Sequence, residues 1–206
     1  MKKLFKKVSR LGLRIDHAAE IGVWHPASSN IIDFIAKGCK ADLFEADPEI
    51  INELTTYFKD NPRVRIFPYA IYNTPGRIGL YRFRASTFIQ NLEKSPALIN
   101  DKYKPTEKDL FYVEARLMSD FDDGTIDLLS IDTEGSEWQA LQTLKSRPVV
   151  ISIETHGRKY RNPFRQQILI WMKSNGYNKW YRTESDTVFI KKDIKLGFLD
   201  KLPFAF

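Results

Sequence analysis

Two pairs of residues in the second half of the chain are of the types that take protons from hydroxyl groups. Asp132 and Glu134 stand two apart in Ile126-Asp-Leu-Leu-Ser-Ile-Asp-Thr-Glu-Gly-Ser-Glu-Trp138, and Glu154 and His156 stand two apart in Ile151-Ser-Ile-Glu-Thr-His156. A carboxylate or an imidazole held against an alcohol can act as its general base. Carboxylates can instead hold Mg2+, which lowers the pKa of a hydroxyl bound to it. Asp132, Glu134 and Glu154 are the candidates for that second route. They show no dense ligand motif, so the metal-free route, with His156 or Asp132 as base, is the favoured expectation. Asp132 and Glu134 read equally well as acids that stabilise the start of the next helix.

A second set lies earlier. His17-Ala-Ala-Glu-Ile21 reads as a short strand with Glu20 near its end, followed by Gly22 and a helix pattern reaching Lys37-Gly38. Ala41-Asp-Leu-Phe-Glu45 reads as the next strand. Glu45 lies 23 residues after Gly22, close to the ~20-residue offset at which an acid meets a ribose in nucleotide-binding βαβ units. A carboxylate accepts two hydrogen bonds and a ribose offers two adjacent hydroxyls.

The elements that must position these residues alternate strand and helix, which argues for a mostly parallel sheet covered on both faces. Asp47 and Pro48 open a helix whose stripe is Ile50, Ile51, Leu54, Tyr57 and Phe58. Further strands are expected at 63–67, 77–83, 110–116, 126–131 and 148–154, with 77–83 beside 110–116. A helix from Pro163 to Asn175 precedes closing antiparallel strands around Trp180–Tyr181 and Thr187–Lys191. The polar stretch from Ser86 to Lys108 is expected to be a mobile loop or lid, and Ser86 and Thr87 could face the cofactor or acceptor.

At 206 residues the length suits one domain, expected over 16–206, after a basic helix or arm at 1–15. In that helix Leu4, Phe5, Val8 and Leu11 share a face. Residues 1–11 could touch an anionic membrane, but packing on the domain edge is the preferred reading. No apolar run approaches the ~18 residues that span a bilayer, and a cytoplasmic location is expected. The single cysteine, Cys39, excludes an internal disulfide framework and reads as structural. The net charge of +6 favours an anionic partner. No nucleic-acid signature is present, so nucleic acid is not an expected partner. The oligomeric state is not legible. His17 reads as structural, and His25 could contact an anionic group or face water.

Taken together, Glu20-Ile-Gly22, Phe44-Glu-Ala-Asp-Pro48, Tyr69-Ala-Ile-Tyr-Asn73 with Pro75-Gly76, and Ile126 to Gly135 resemble, in order, the FkbM-like methyltransferases. Ile151 to His156 and Asn175-Gly-Tyr177 also fit. The resemblance implies a class I methyltransferase Rossmann-like α/β fold with a mostly parallel seven-stranded sheet and helices on both faces. It implies S-adenosylmethionine as cofactor, bound by Glu20, Gly22, Glu45, Ala46, Ala70, Ile71 and Asp132, with Tyr69, Ala70 and Ile71 against adenine. It implies O-methylation, commonly of a sugar hydroxyl in a polysaccharide, glycan or glycolipid, with Asp132, Glu134 and His156 as catalytic candidates. The rivals are another small-molecule hydroxyl and a nucleotide-binding domain without turnover. One departure stands out. The family's first loop resembles Asp-x-Gly-Ala-Asn-x-Gly, whereas this chain has Glu20-Ile-Gly-Val-Trp-His-Pro26 and lacks the second glycine.

Overall fold

The computed structural model describes residues 1–197 and 200. Its main sheet is built from β1 (His17–Ile21), β2 (Lys40–Phe44), β3 (Val64–Phe67), β8 (Leu128–Ile131), β9 (Val150–Glu154), β10 (Tyr177–Arg182) and β11 (Asp186–Lys191). The strand order is β10-β11-β9-β8-β1-β2-β3. The five strands from β3 to β9 in that order run parallel, while β11 pairs antiparallel with β9 and β10 with β11. Residues of β1, β8 and β9 are buried throughout, as expected for central strands covered on both faces.

Alternation along these strands divides the core. Leu43 and Leu128 face a cluster completed by α1 (Lys3–Arg10), α2 (Ile32–Ala36) and α3 (Pro48–Phe58). Phe44 and Leu129 face the opposite cluster, closed by α5 (Glu137–Gln142) and α6 (Arg165–Ser174). The basic N-terminal helix belongs to the first cluster. Leu4 and Val8 are buried there, and Phe5 packs edge-on to Phe34 with ring centroids 4.9 Å apart. Its apolar face is therefore covered by protein. No helix among the described residues is long and apolar enough to cross a membrane.

A second, four-stranded sheet stands between β3 and β8 in the chain. It comprises β4 (Ala70–Ile71), β5 (Gly76–Phe83), β6 (Ser86–Ile89) and β7 (Leu110–Arg116), ordered β4-β7-β5-β6. The pairing of β5 with β7 follows the sequence expectation. The strand at 86–89 and the helix α4 (Pro96–Asn100) instead give regular structure to part of the stretch expected to be a mobile loop or lid. Arg84, in the left-handed region at φ 55°, turns the chain so that buried Phe88 pairs with Tyr81. Ser95 then caps α4, with Pro96 in its first turn.

Candidate functional site

The register of the parallel strands brings the sequence candidates to one edge. Ile21 pairs with Phe44 on one side and with Ile131 on the other, so Gly22, Glu45 and Asp132 emerge side by side at the carboxyl ends. Strand order reverses between β1 and β8, the point where open α/β sheets bind ligands. A cavity of about 270 Å³ opens there. Its lining includes Glu20, Gly22, Glu45, Ala46, Tyr69, Ala70, Ile71, Thr87, Asp132 and Glu134. All the expected cofactor contacts line this cavity, and of the expected catalytic residues Asp132 and Glu134 do.

Gly22 is dictated by the approach of β1 to β8. Its φ is +78°, and a Cβ there would lie 1.8 Å from the Asp132 carbonyl oxygen. The neighbouring Glu20 is buried, accepting from Ser29 Oγ at 2.5 Å and from the Asn30 amide at 2.7 Å. Burial pushes its carboxyl up to about 7, against those two hydrogen bonds and nearby Lys2. The pull on Ser29 and Asn30 also explains why the helix expected after Gly22 is short. The chain makes a 3₁₀ turn at Pro26–Ser28 and becomes α-helical only at Ile32.

Glu45 lines the cavity and is also held by the backbone around it. One oxygen accepts the amides of Val23 and Trp24, both at 3.1 Å, and the other accepts those of Ala46 and Asp47 at 2.7 and 2.9 Å. Four N–H groups fill the lone-pair positions of a carboxylate. Glu45 thereby braces the loop without the second glycine against the end of β2. Asp47 caps α3 through the Glu49 amide at 2.9 Å, as expected, and Arg82 of the second sheet grips it through two nitrogens at 2.5 and 2.6 Å.

The acids after β8 are arranged differently. Asp132 Oδ1 and Glu134 Oε2 are sealed from solvent without a hydrogen-bond partner. Glu134 takes the left-handed φ of 56°, uncommon for a residue with a side chain. The turn is pinned by Glu137, whose Oε1 accepts the amides of Thr133 at 2.9 Å and Gly135 at 3.0 Å. Gly135 must lack a side chain, because a Cβ would sit 2.8 Å from the Lys94 carbonyl oxygen. Glu137 is fully buried and also binds Asn162 Nδ2. Glu154, at the end of β9, is 5% exposed and has a partnerless Oε2. Carboxylate oxygens of Asp132, Glu137 and Glu154 lie within 4.8 Å of one another.

This crowding raises every carboxyl in the group. Burial and then Glu134, Asp186, Glu137 and Glu20 lift Asp132 well above the usual carboxylate range. Burial lifts Glu134 to about 7, against a hydrogen bond from Ser86. Burial, followed by Asp132 and Glu137, pushes Glu154 up to about 12. Buried Tyr160, whose hydroxyl has no partner, is raised by burial and by the same acids.

His156 does not join them. It lies outside the cavity lining, its Nδ1 3.0 Å from Thr155 Oγ1 and its Nε2 3.2 Å from the Thr183 carbonyl oxygen. Burial lowers its pKa, so it is held neutral as a link between β9 and the turn before β11. Of the three expected catalytic residues, His156 is the one the structure does not bring to the cavity. His17 is structural, as expected, bridging Thr125 and Asp42 at 2.9 Å each. His25 pairs with Glu53 at 2.5 Å. Cys39 is buried in the core. Glu137 and Tyr160 were absent from the sequence reading. Glu137 looked like an ordinary first-turn acid, and only its complete burial marks it out.

Residues 16–179 match the model of the methyltransferase FkbM domain. No curated protein matches the chain. Solved structures similar to it include a precorrin-6y C5,15-methyltransferase from Geobacter metallireducens GS-15, at 13% identity over 91% of this chain and 84% of that one, TM-score 0.44. A TehB-like SAM-dependent methyltransferase from Corynebacterium glutamicum has 11% identity over 93% and 89%, TM-score 0.45. A SAM-dependent methyltransferase from Aquifex aeolicus has 9% identity over 91% and 88%, TM-score 0.43. Likenesses this distant carry no substrate to this chain.

Proposed function

The chain belongs to the FkbM methyltransferase family, and on that premise we propose that it O-methylates a sugar hydroxyl of a polysaccharide, glycan or glycolipid. When bound, S-adenosylmethionine supplies a methyl group already activated on a sulfonium. The cavity suits such a donor. Its lining combines apolar Phe44, Ala70 and Ile71 with the acids Glu20, Glu45 and Asp132. Glu45 contributes by holding the Val23–Trp24 and Ala46–Asp47 backbones at the wall.

What remains for the protein is to align an acceptor and take its proton. The observation that carries the reading is the pair Asp132 and Glu134, which line the donor cavity with partnerless carboxylate oxygens. Glu134 is the base in this account, and Asp132 orients the hydroxyl beside it. Ser28, Asn30, Thr87, Thr133 and Ser136 supply hydrogen-bonding groups beside apolar Val23, Trp24, Leu80 and Ile89, a mixture that suits the hydroxyls and apolar ring face of a sugar. The test is transfer of labelled methyl from S-adenosylmethionine to a panel of monosaccharides and glycan fragments, set against phenolic and other small alcohols. Labelling of sugars that falls about 10²–10⁴-fold in Glu134→Gln supports the proposal. Labelling confined to the other alcohols would overturn the sugar assignment.

A further inference from the structure

We propose that Asp132, Glu137 and Glu154 form a site for a hard divalent cation beside the donor cavity, an inference that rests for its catalytic meaning on the methyl-transfer reading above. The sequence pointed to Glu134 as the third ligand and preferred no metal. The structure instead groups Glu137 with Asp132 and Glu154 and leaves Glu134 outside the set.

The three carboxylates lie close enough to reach one ion with small side-chain adjustments. Oxygens on opposite sides of Mg2+ are about 4.2 Å apart and on opposite sides of Ca2+ about 5 Å. The three carboxylates fall within 4.8 Å of one another. Among the described residues no Lys or Arg forms an ion pair with any of them. Buried carboxylates left in that state are strongly disfavoured unless a positive charge or protons compensate them.

An observation independent of the acids points the same way. Tyr160 is 0% exposed, yet its hydroxyl has no partner. It is within the electrostatic reach of Glu137, Glu154, Glu134 and Asp132 and stands next to Gly135, 3.4 Å from where a Cβ would be. This buried hydroxyl beside Gly135, whose amide binds Glu137, is left without a partner. A water ligand of an ion held by the three acids would supply one. Glu154 Oε2 and Asp132 Oδ1, both partnerless, are the free first ligands. Glu137 is already oriented by Thr133, Gly135 and Asn162, as ligating carboxylates commonly are.

A cation there would take an acceptor hydroxyl entering past Asp132 as a further ligand and lower its pKa.

The test is Mn2+ titration of the metal-stripped full chain, followed by electron paramagnetic resonance. The expected result is one Mn2+ per chain, bound at least about tenfold more weakly in Glu154→Gln and in Asp132→Asn. Glu134→Gln should keep the wild-type Mn2+ affinity. Thermal melts identify any variant that fails to fold, and the other then decides. Absence of uptake up to roughly 1 mM, or uptake unchanged in both ligand variants, overturns the site. Calorimetry of S-adenosylhomocysteine with the chelated protein reads the donor cavity separately. Donor-product binding without Mn2+ uptake overturns the cation site and leaves the methyltransferase reading standing.

Discussion

Glu45 and Glu154 stand at the carboxyl ends of two parallel strands of the same sheet, β2 and β9, with β1 and β8 between them; both are buried, but their carboxylates live in opposite conditions. Glu45 receives four backbone N–H groups. Glu154 has a sealed oxygen with no partner and other acids as neighbours. The first arrangement is what a folded chain does with an acid it uses as a brace. The second is unfavourable for ionised acids and leaves them to be compensated by protons or by a cation. Position at the end of a parallel strand therefore does not by itself identify a functional acid. What separates the two is whether the chain itself satisfies the carboxylate.

That contrast can be broken most severely at Gly22, on which both halves of the edge depend. Gly22→Ala should cost about 4 kcal/mol in chemical denaturation, because the new Cβ collides with the Asp132 backbone and φ is positive. Full stability in that variant would show that β1 and β8 need not approach so closely. Glu45→Ala should lose about 3 kcal/mol by leaving buried N–H groups without acceptors, and donor affinity should fall about a hundredfold as the loop loosens. An unchanged melting temperature would show that Glu45 does not brace the loop.

The pH dependence of stability sharpens the picture at Glu20. Its carboxyl is raised to about 7 by burial and Asp186, opposed by Ser29, Asn30 and Lys2. Its contribution is therefore complete below the unfolded value near 4.5 and is lost as pH rises through 7. The wild type should lose about 2–3 kcal/mol from this group across that window. Glu20→Gln should show a correspondingly flatter profile in denaturation series at pH 5 and pH 8. The smallest effect has the opposite sign. In chelator, Glu154→Gln should stabilise the protein by about 1 kcal/mol, since it replaces an unsatisfied buried acid with a neutral amide that can donate to its neighbours. A destabilised Glu154→Gln would erase the distinction from Glu45.

Much of this was legible in the sequence because it is written in local periodicity. The buried runs at 17–21, 128–131 and 150–154, the Asp47–Pro48 cap and the closing antiparallel pair all follow from residue order. The choice of cavity residues was legible because strand ends are legible. What the sequence concealed was how each side chain is satisfied. Glu45 and Glu154 look alike as letters, and Glu137 looks like any acid in a first helical turn. His156 lies next to the end of β9, yet its ring turns to Thr155 and Thr183. The strand at 86–89 escaped notice because its partner pairing with β5 depends on a left-handed residue, Arg84, that carries no glycine-like signature.

The most direct test of the account is single-turnover methyl transfer by Asp132→Asn at saturating donor and acceptor, with S-adenosylhomocysteine affinity measured on the same sample. Asn preserves size and one acceptor oxygen but takes up neither a proton nor a cation well. The account predicts donor-product affinity within a few-fold of wild type and a rate lower by about 10²–10⁴, or about 3–5 kcal/mol. A near-normal rate would contradict it, reducing the acids beyond β8 to a structural turn.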